Sequence, residues 1–138
     1  DGVFFCMKYE IRAMLNNNGG SIVNTSSALG RLAVPHAADY CGSKGGVLGL
    51  TKGAAIDYGR QNIRVNAILP GVIRTQMTQA LTSKPHLSSL LDSFEKRHPI
   101  GRLGLPNEIA DAVVWLLSEK SSFVTGIDLP VDGGYLAG

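Results

Sequence analysis

Gly20-Ser21-Ile22-Val23-Asn24-Thr25-Ser26-Ser27 is a short apolar and β-branched run that empties into paired serines. It is bounded by Asn16-Asn17-Asn18-Gly19 before it and by Gly30 and Pro35 after it. Such punctuation predicts a strand at Ser21–Thr25 and a loop from Ser26 to His36. Tyr40 follows thirteen positions after Ser27 and opens Tyr40-Cys41-Gly42-Ser43-Lys44. On a helix, positions i and i+4 share a face, so the phenol and the ammonium can sit together. A nearby cation favours the phenolate and makes a tyrosine usable as a general acid or base near neutral pH. Taken singly, each feature has an ordinary meaning: a solvated Tyr and Lys one turn apart, and a serine-rich loop.

Outward from this stretch the chain alternates. Val3, Met7, Ile11, Met14 and Leu15 recur at helical spacing, which predicts a helix from Gly2 to Leu15 ending at the Asn-Asn-Asn-Gly-Gly break. A second helix runs from Asp39 to Gly59. Ile63–Leu69 is a strand closed by Pro70-Gly71. Residues 72 to 105 are irregular and polar, with short helices expected around Thr78–Leu81 and Leu87–Lys96. Pro106 suits the first turn of a helix that runs to about Ser118 and buries Ile109, Ala112, Val113, Leu116 and Leu117. Trp115 falls in that apolar run and reads as core or interface. Ile127–Val131 is a last strand, followed by Asp132-Gly133-Gly134.

Helix, strand, helix, strand, helix, strand is the pattern of an α/β fold: a doubly wound parallel sheet of about three strands with helices on both faces. Parallel strands normally have both neighbours, and the Ser21–Thr25 strand would lack one. In open sheets of this kind, ligands bind beyond the carboxyl ends of the strands. Ser26 and Ser27 fall at one such end. The helix that follows runs back antiparallel, so its start, with Tyr40, returns to the same edge. Pro70-Gly71-Val72 closes the adjacent strand there. Three polar features thus converge on one crevice.

Composition narrows the function further. The chain has 138 residues, 44% hydrophobic and 17% charged, with a formal charge of +2, which suits one globular domain. No Lys and Arg run would track a phosphate backbone, so nucleic acid is not an expected partner. No apolar stretch approaches the roughly 20 residues needed to span a bilayer. His36, His86 and His98 are scattered in loops without metal-ligand spacing, so no metal is expected. Cys6 and Cys41 read as two buried thiols in a reducing compartment, the cytoplasm. The chain starts at Asp1 rather than Met and carries no signal-peptide pattern, so it reads as beginning mid-protein.

The residues now carry a resemblance. G-S-I-V-N-T-S-S-A-L-G, the interval to Tyr40, and Y-x-x-x-K are similar to the active-site signature of the short-chain dehydrogenase/reductase family. I-R-V-N-A-I-L-P-G-V-I-R-T resembles that family's nicotinamide-side strand and loop, and P-I-G-R-L-G-L-P-N-E-I-A and V-D-G-G resemble its later segments. The likeness covers the chain apart from the stretch around Gln76 to Lys96. It implies the carboxyl-terminal, catalytic part of a Rossmann-like domain over residues 1–138, with 76–98 as a substrate-loop insertion. It implies a hydride transfer between NAD or NADP and a secondary alcohol or ketone.

By that resemblance Ser27 orients and polarises the substrate oxygen, and Tyr40 donates or removes the proton. Lys44 favours the Tyr40 phenolate and binds the nicotinamide ribose. Thr25, Pro70, Gly71, Val72 and Thr75 stand on the cofactor side: Pro70 and Gly71 shape the loop, Val72 offers backbone groups to the carboxamide, and Thr75 offers its hydroxyl. Ser26 is the weaker candidate for the catalytic serine. The family's glycine-rich phosphate loop, its Asn-Ala-Gly segment and its catalytic Asn have no counterpart here, so weak or no dinucleotide binding is expected from these residues alone. Two other functions stay open: a non-catalytic fragment acting as an oligomerisation module, and an epimerase or dehydratase using the same Tyr and Lys. Gly42, Gly46, Gly49 and Gly53 make one smooth helical stripe, either packed on the chain's own sheet or meeting a second subunit in a homodimer or homotetramer.

Overall fold

The middle strand sits where it does because it is buried over nearly its whole length, with Ile63, Val65, Ala67 and Leu69 on one face and Arg64, Asn66 and Ile68 on the other. The computed structural model describes residues 1–76, 78 and 88–138. Their order is α1 (Gly2–Leu15), β1 (Gly20–Thr25), α2 (Ala38–Tyr58), β2 (Ile63–Pro70), α3 (Ser88–Lys96), α4 (Pro106–Leu117) and β3 (Asp128–Val131). The three strands form one parallel sheet in the order β1-β2-β3. Gly20 pairs with Ile63 and Thr25 with Ile68, while Ala67 pairs with Asp128 and Pro70 with Val131. This is the α/β architecture expected, with β1 at the edge.

Successive side chains of a strand point to opposite faces. On one face of β2, Ile63 and Val65 pack with Ala54 and Ala55 of α2 and with Met7 and Ile11 of α1, and Ile22 of β1 joins them. Ala67 and Leu69, further along the same face, meet Leu48. Burying each such Ile, Leu or Val stabilises by about 1.5–3 kcal/mol relative to exposure. On the other face, Arg64 reaches the end of α4: its guanidinium donates to the carbonyls of Leu116 (2.9 Å), Ser118 (3.1 Å) and Val124 (3.2 Å). Helices therefore cover both faces of the sheet.

The left-handed Asn18 and Gly19 end α1 as the Asn-Gly break predicts. The helix around Leu87–Lys96 is present as α3, and the one expected at Thr78–Leu81 lies, apart from Thr78, outside the described residues. Residues 77 and 79–87 of the expected insertion lie outside them as well.

Three burial expectations are corrected. In α4, Leu116 is fully buried but Leu117 is 46% exposed; Trp115, read as core or interface, is 39% exposed and so is not core. Neighbouring positions lie about 100° apart around a helix, and the sheet covers only the sector that Leu116 occupies. Cys6 is exposed and Cys41 half-buried, both unpaired, because α1 turns Met7 and Ile11 inward and Cys6 out. Finally, a Cβ built on Gly42, Gly46, Gly49 or Gly53 would meet nothing within 4 Å, so the stripe does not pack on the chain's own sheet. Gly45, on another side of α2, is the one near the Gly30 carbonyl (3.5 Å).

Candidate active site

Where β1 ends, the two serines separate in role. The Ser26 N–H continues the ladder to the Ile68 carbonyl (2.9 Å), and its buried Oγ donates to the Lys44 main-chain carbonyl (2.8 Å). Gly30 must lack a side chain here: a Cβ would lie 2.7 Å from Ser26 Oγ and 3.1 Å from the Lys44 carbonyl oxygen. Ser27 stands at the head of the 3₁₀ turn Ala28–Gly30, where its Oγ accepts from the Leu29 N–H (3.2 Å). That leaves the Ser27 O–H to donate elsewhere.

Tyr40 lies in the first turn of α2, with its ring partly exposed. Lys44, one turn on, donates from Nζ to the Thr25 carbonyl (3.1 Å) and stands 5.8 Å from the Tyr40 ring centroid. A cavity of about 430 Å³ opens in front of them. Ser27, Tyr40, Pro70, Gly71, Val72 and Thr75 all line it, so six residues singled out from three separate stretches of sequence meet there. Thr25 and Lys44 do not line it; they stand joined to each other beside it. Leu29, Val34, Ile73, Phe94 and Tyr135 make the wall apolar, and Arg97 is its one charged member among the described residues.

The family described as enoyl-(acyl carrier protein) reductase has a model that matches residues 1–136. The solved structure of a short-chain type dehydrogenase/reductase from Mycobacterium ulcerans superposes with a TM-score of 0.89 at 34% identity, covering 99% of this chain and 48% of that one. This chain belongs to the short-chain dehydrogenase/reductase family. It is 51% identical over 138 residues to the 2,5-dichloro-2,5-cyclohexadiene-1,4-diol dehydrogenase of Sphingobium indicum, covering 99% of this chain and 54% of that protein. The structure of ElxO with NADP bound matches at a TM-score of 0.93 and 38% identity, over 99% of this chain and 54% of that one. The chain thus spans about half the length of the curated relatives it matches.

In this short-chain dehydrogenase/reductase the loop after β2 is pinned on both sides. The Gly71 N–H donates to the Val131 carbonyl (3.2 Å). The Val72 N–H donates to His98 Nε2 (3.1 Å), and the Val72 carbonyl accepts from the Gly104 N–H (3.0 Å). Thr75 is held through Thr78, whose Oγ1 accepts from the Thr75 N–H (2.8 Å). Sequence reasoning assigned His98 to a loop without a role. No local pattern marks it, since its partner is 26 positions away. Tyr135 carried a usable signal, standing directly after the family's V-D-G-G.

An exposed ion pair lies off this cavity, at the start of α4. Arg102 grips Glu108 through two nitrogens (2.6 and 2.9 Å), and the Leu105 N–H donates to the same carboxylate (2.7 Å). The Arg102 hydrogen bond, with the Leu105 N–H, holds the Glu108 carboxyl down at about 2. Among the described residues no group of three His, Cys, Asp or Glu could hold a metal, and no helix is long and apolar enough to cross a membrane.

Proposed function

We propose that this chain is the catalytic part of an oxidoreductase that moves a hydride between NAD or NADP and a secondary alcohol or ketone. One observation carries the reading: Ser27, Tyr40 and the Pro70–Thr75 loop face a single apolar cavity, with the Lys44 ammonium directly behind Tyr40. The nicotinamide end of a dinucleotide fits these residues. Lys44 spends one of its three hydrogens on the Thr25 carbonyl and keeps two for ribose hydroxyls. The cavity wall at Val72 and Ile73 is apolar enough for the ring, with the Thr75 hydroxyl at its edge. The NADP bound to the ElxO structure supports the same choice. When bound, the dinucleotide supplies or accepts the hydride.

The chain's own residues handle the proton. The Ser27 O–H, its oxygen already engaged by the Leu29 N–H, donates to the substrate oxygen. The Tyr40 hydroxyl passes its proton to that oxygen in reduction and takes it back in oxidation. Lys44 places positive charge beside the ring on which negative charge develops. Segment 76–98 serves as the substrate loop, its described end placing Phe94 on the cavity wall.

The test is Tyr40→Phe in the complete protein. Turnover falls by about 10²–10⁴-fold or more, while NAD(P) affinity stays within about threefold. Near-normal turnover would sink the assignment.

A second reading, self-association, is supported by one face. Phe4, Phe5, Tyr9, Leu50 and Ile56 are exposed along α1 and α2 beside the open glycine stripe. A groove of about 470 Å³ runs between the two helices. The occupant we assign to it is a second copy of this chain, giving a homodimer or homotetramer; a monomer by sedimentation overturns this. The two unpaired thiols accord with a reducing, cytoplasmic setting.

A further inference from the structure

We infer that His98 is a positioning residue for the nicotinamide-side loop, its bare Nε2 holding the Val72 peptide in place. This rests on the dehydrogenase reading above. His98 is 2% exposed and does not line the cavity that holds Ser27 and Tyr40, so it touches neither substrate nor reacting atoms. Its two ring nitrogens have partners of opposite kind. Nδ1 lies 2.6 Å from the Phe94 carbonyl oxygen, which can only accept. Nδ1 therefore carries the proton. Nε2 lies 3.1 Å from the Val72 nitrogen, which can only donate, so Nε2 is unprotonated. The contacts on the ring thus select one neutral tautomer.

The surrounding packing is built around that ring. A Cβ at Gly71 would lie 2.6 Å from His98 Nε2, so glycine lets the imidazole come up under the loop. Tyr135 packs on the other side, ring centroids 5.1 Å apart, and Tyr135 itself walls the cavity. His98 follows α3 directly, and its N–H donates to the Glu95 carbonyl (3.1 Å). It therefore ties the end of the substrate-loop helix to the peptide that borders the nicotinamide position. Of the Val72 backbone groups that family resemblance offers to the carboxamide, the N–H is already committed to this histidine. Among the described residues, only the second lone pair of the Val72 carbonyl is left without a partner.

The experiment measures NADP⁺ and NAD⁺ binding by calorimetry to the complete protein, its His98→Gln variant and its His98→Leu variant. Gln retains an acceptor at the Nε2 position, and Leu removes it. Gln binds within about threefold of the parent and Leu about tenfold more weakly, with KM for the dinucleotide moving more than kcat. Parental affinity in Leu, or a loss in Gln as large as that in Leu, overturns the inference. If Leu does not fold, the Gln variant decides: a loss beyond about tenfold overturns the inference. A parent that binds neither dinucleotide overturns the dehydrogenase reading and this one with it, whereas binding that is indifferent to His98 overturns this one only.

Discussion

Ser26 Oγ donates to the main-chain carbonyl of Lys44 at 2.8 Å, tying the end of β1 to the second turn of α2. The bond brings the loop that carries Ser27 against the helix that carries Tyr40. It also commits the Ser26 hydroxyl to the fold, in keeping with the proposal that Ser27 is the reacting serine.

Ser26→Ala and Ser27→Ala should therefore fail in opposite ways. Loss of the Ser26 hydrogen bond costs about 1 kcal/mol of stability while the Ser27 hydroxyl, the proposed catalytic one, remains, so turnover falls less than about tenfold. Ser27→Ala lowers kcat by about 10²-fold or more, because the donor to the substrate oxygen is gone. Steady-state kinetics and urea denaturation of both variants in the complete protein check the pair. A Ser26 variant slower than the Ser27 variant would reverse the assignment.

Arg64 offers a stability test remote from the chemistry. Its guanidinium satisfies three carbonyls at and beyond the end of α4, those of Leu116, Ser118 and Val124. Hydrogen bonds from a charged donor contribute about 1.5–3 kcal/mol, and the helix end adds a favourable dipole. Arg64→Met keeps the stem and removes the donors, so a loss of about 2–3 kcal/mol is expected from denaturant midpoints. A loss under about 0.5 kcal/mol would mean that water replaces all three bonds.

Glu108 makes a prediction about acid. Its carboxyl is lowered from 4.5 to about 2 by Arg102 and the Leu105 N–H. A folded value below the unfolded one means the unfolded chain binds the proton more readily. The stabilisation is fully present above about 4.5 and is lost as pH falls toward about 2. Glu108→Gln should therefore lower the thermal midpoint at neutral pH, with the gap to the parent closing across that window. A gap independent of pH would show that the charge contributes nothing.

Much of the fold was legible because its signals are local. The run Ile63–Leu69 read as a strand from its β-branched residues, its partial alternation and the Pro70-Gly71 that closes it. Pro106 opened α4 and Asn18-Gly19 closed α1 for reasons contained in their own backbones. Tyr40 and Lys44 share a face through helix geometry alone. Rotation of a helix about its axis was harder to read. Leu117 and Trp115 belong to an apolar run, yet which sector of α4 meets the sheet depends on Arg64 and Ser21 gripping the Leu116 carbonyl.

The sequence by itself determined the order of elements and the Y-x-x-x-K pair, because each follows from residues within a few positions of one another; the convergence of strand ends on one crevice followed from the topology that this order imposes. Tertiary structure decided which serine is free, that the glycine stripe of α2 faces away from its own sheet, and that His98 holds the Val72 peptide. Those outcomes depend on contacts between residues 18, 26 or more positions apart, which form only when the sheet brings distant loops to the same edge.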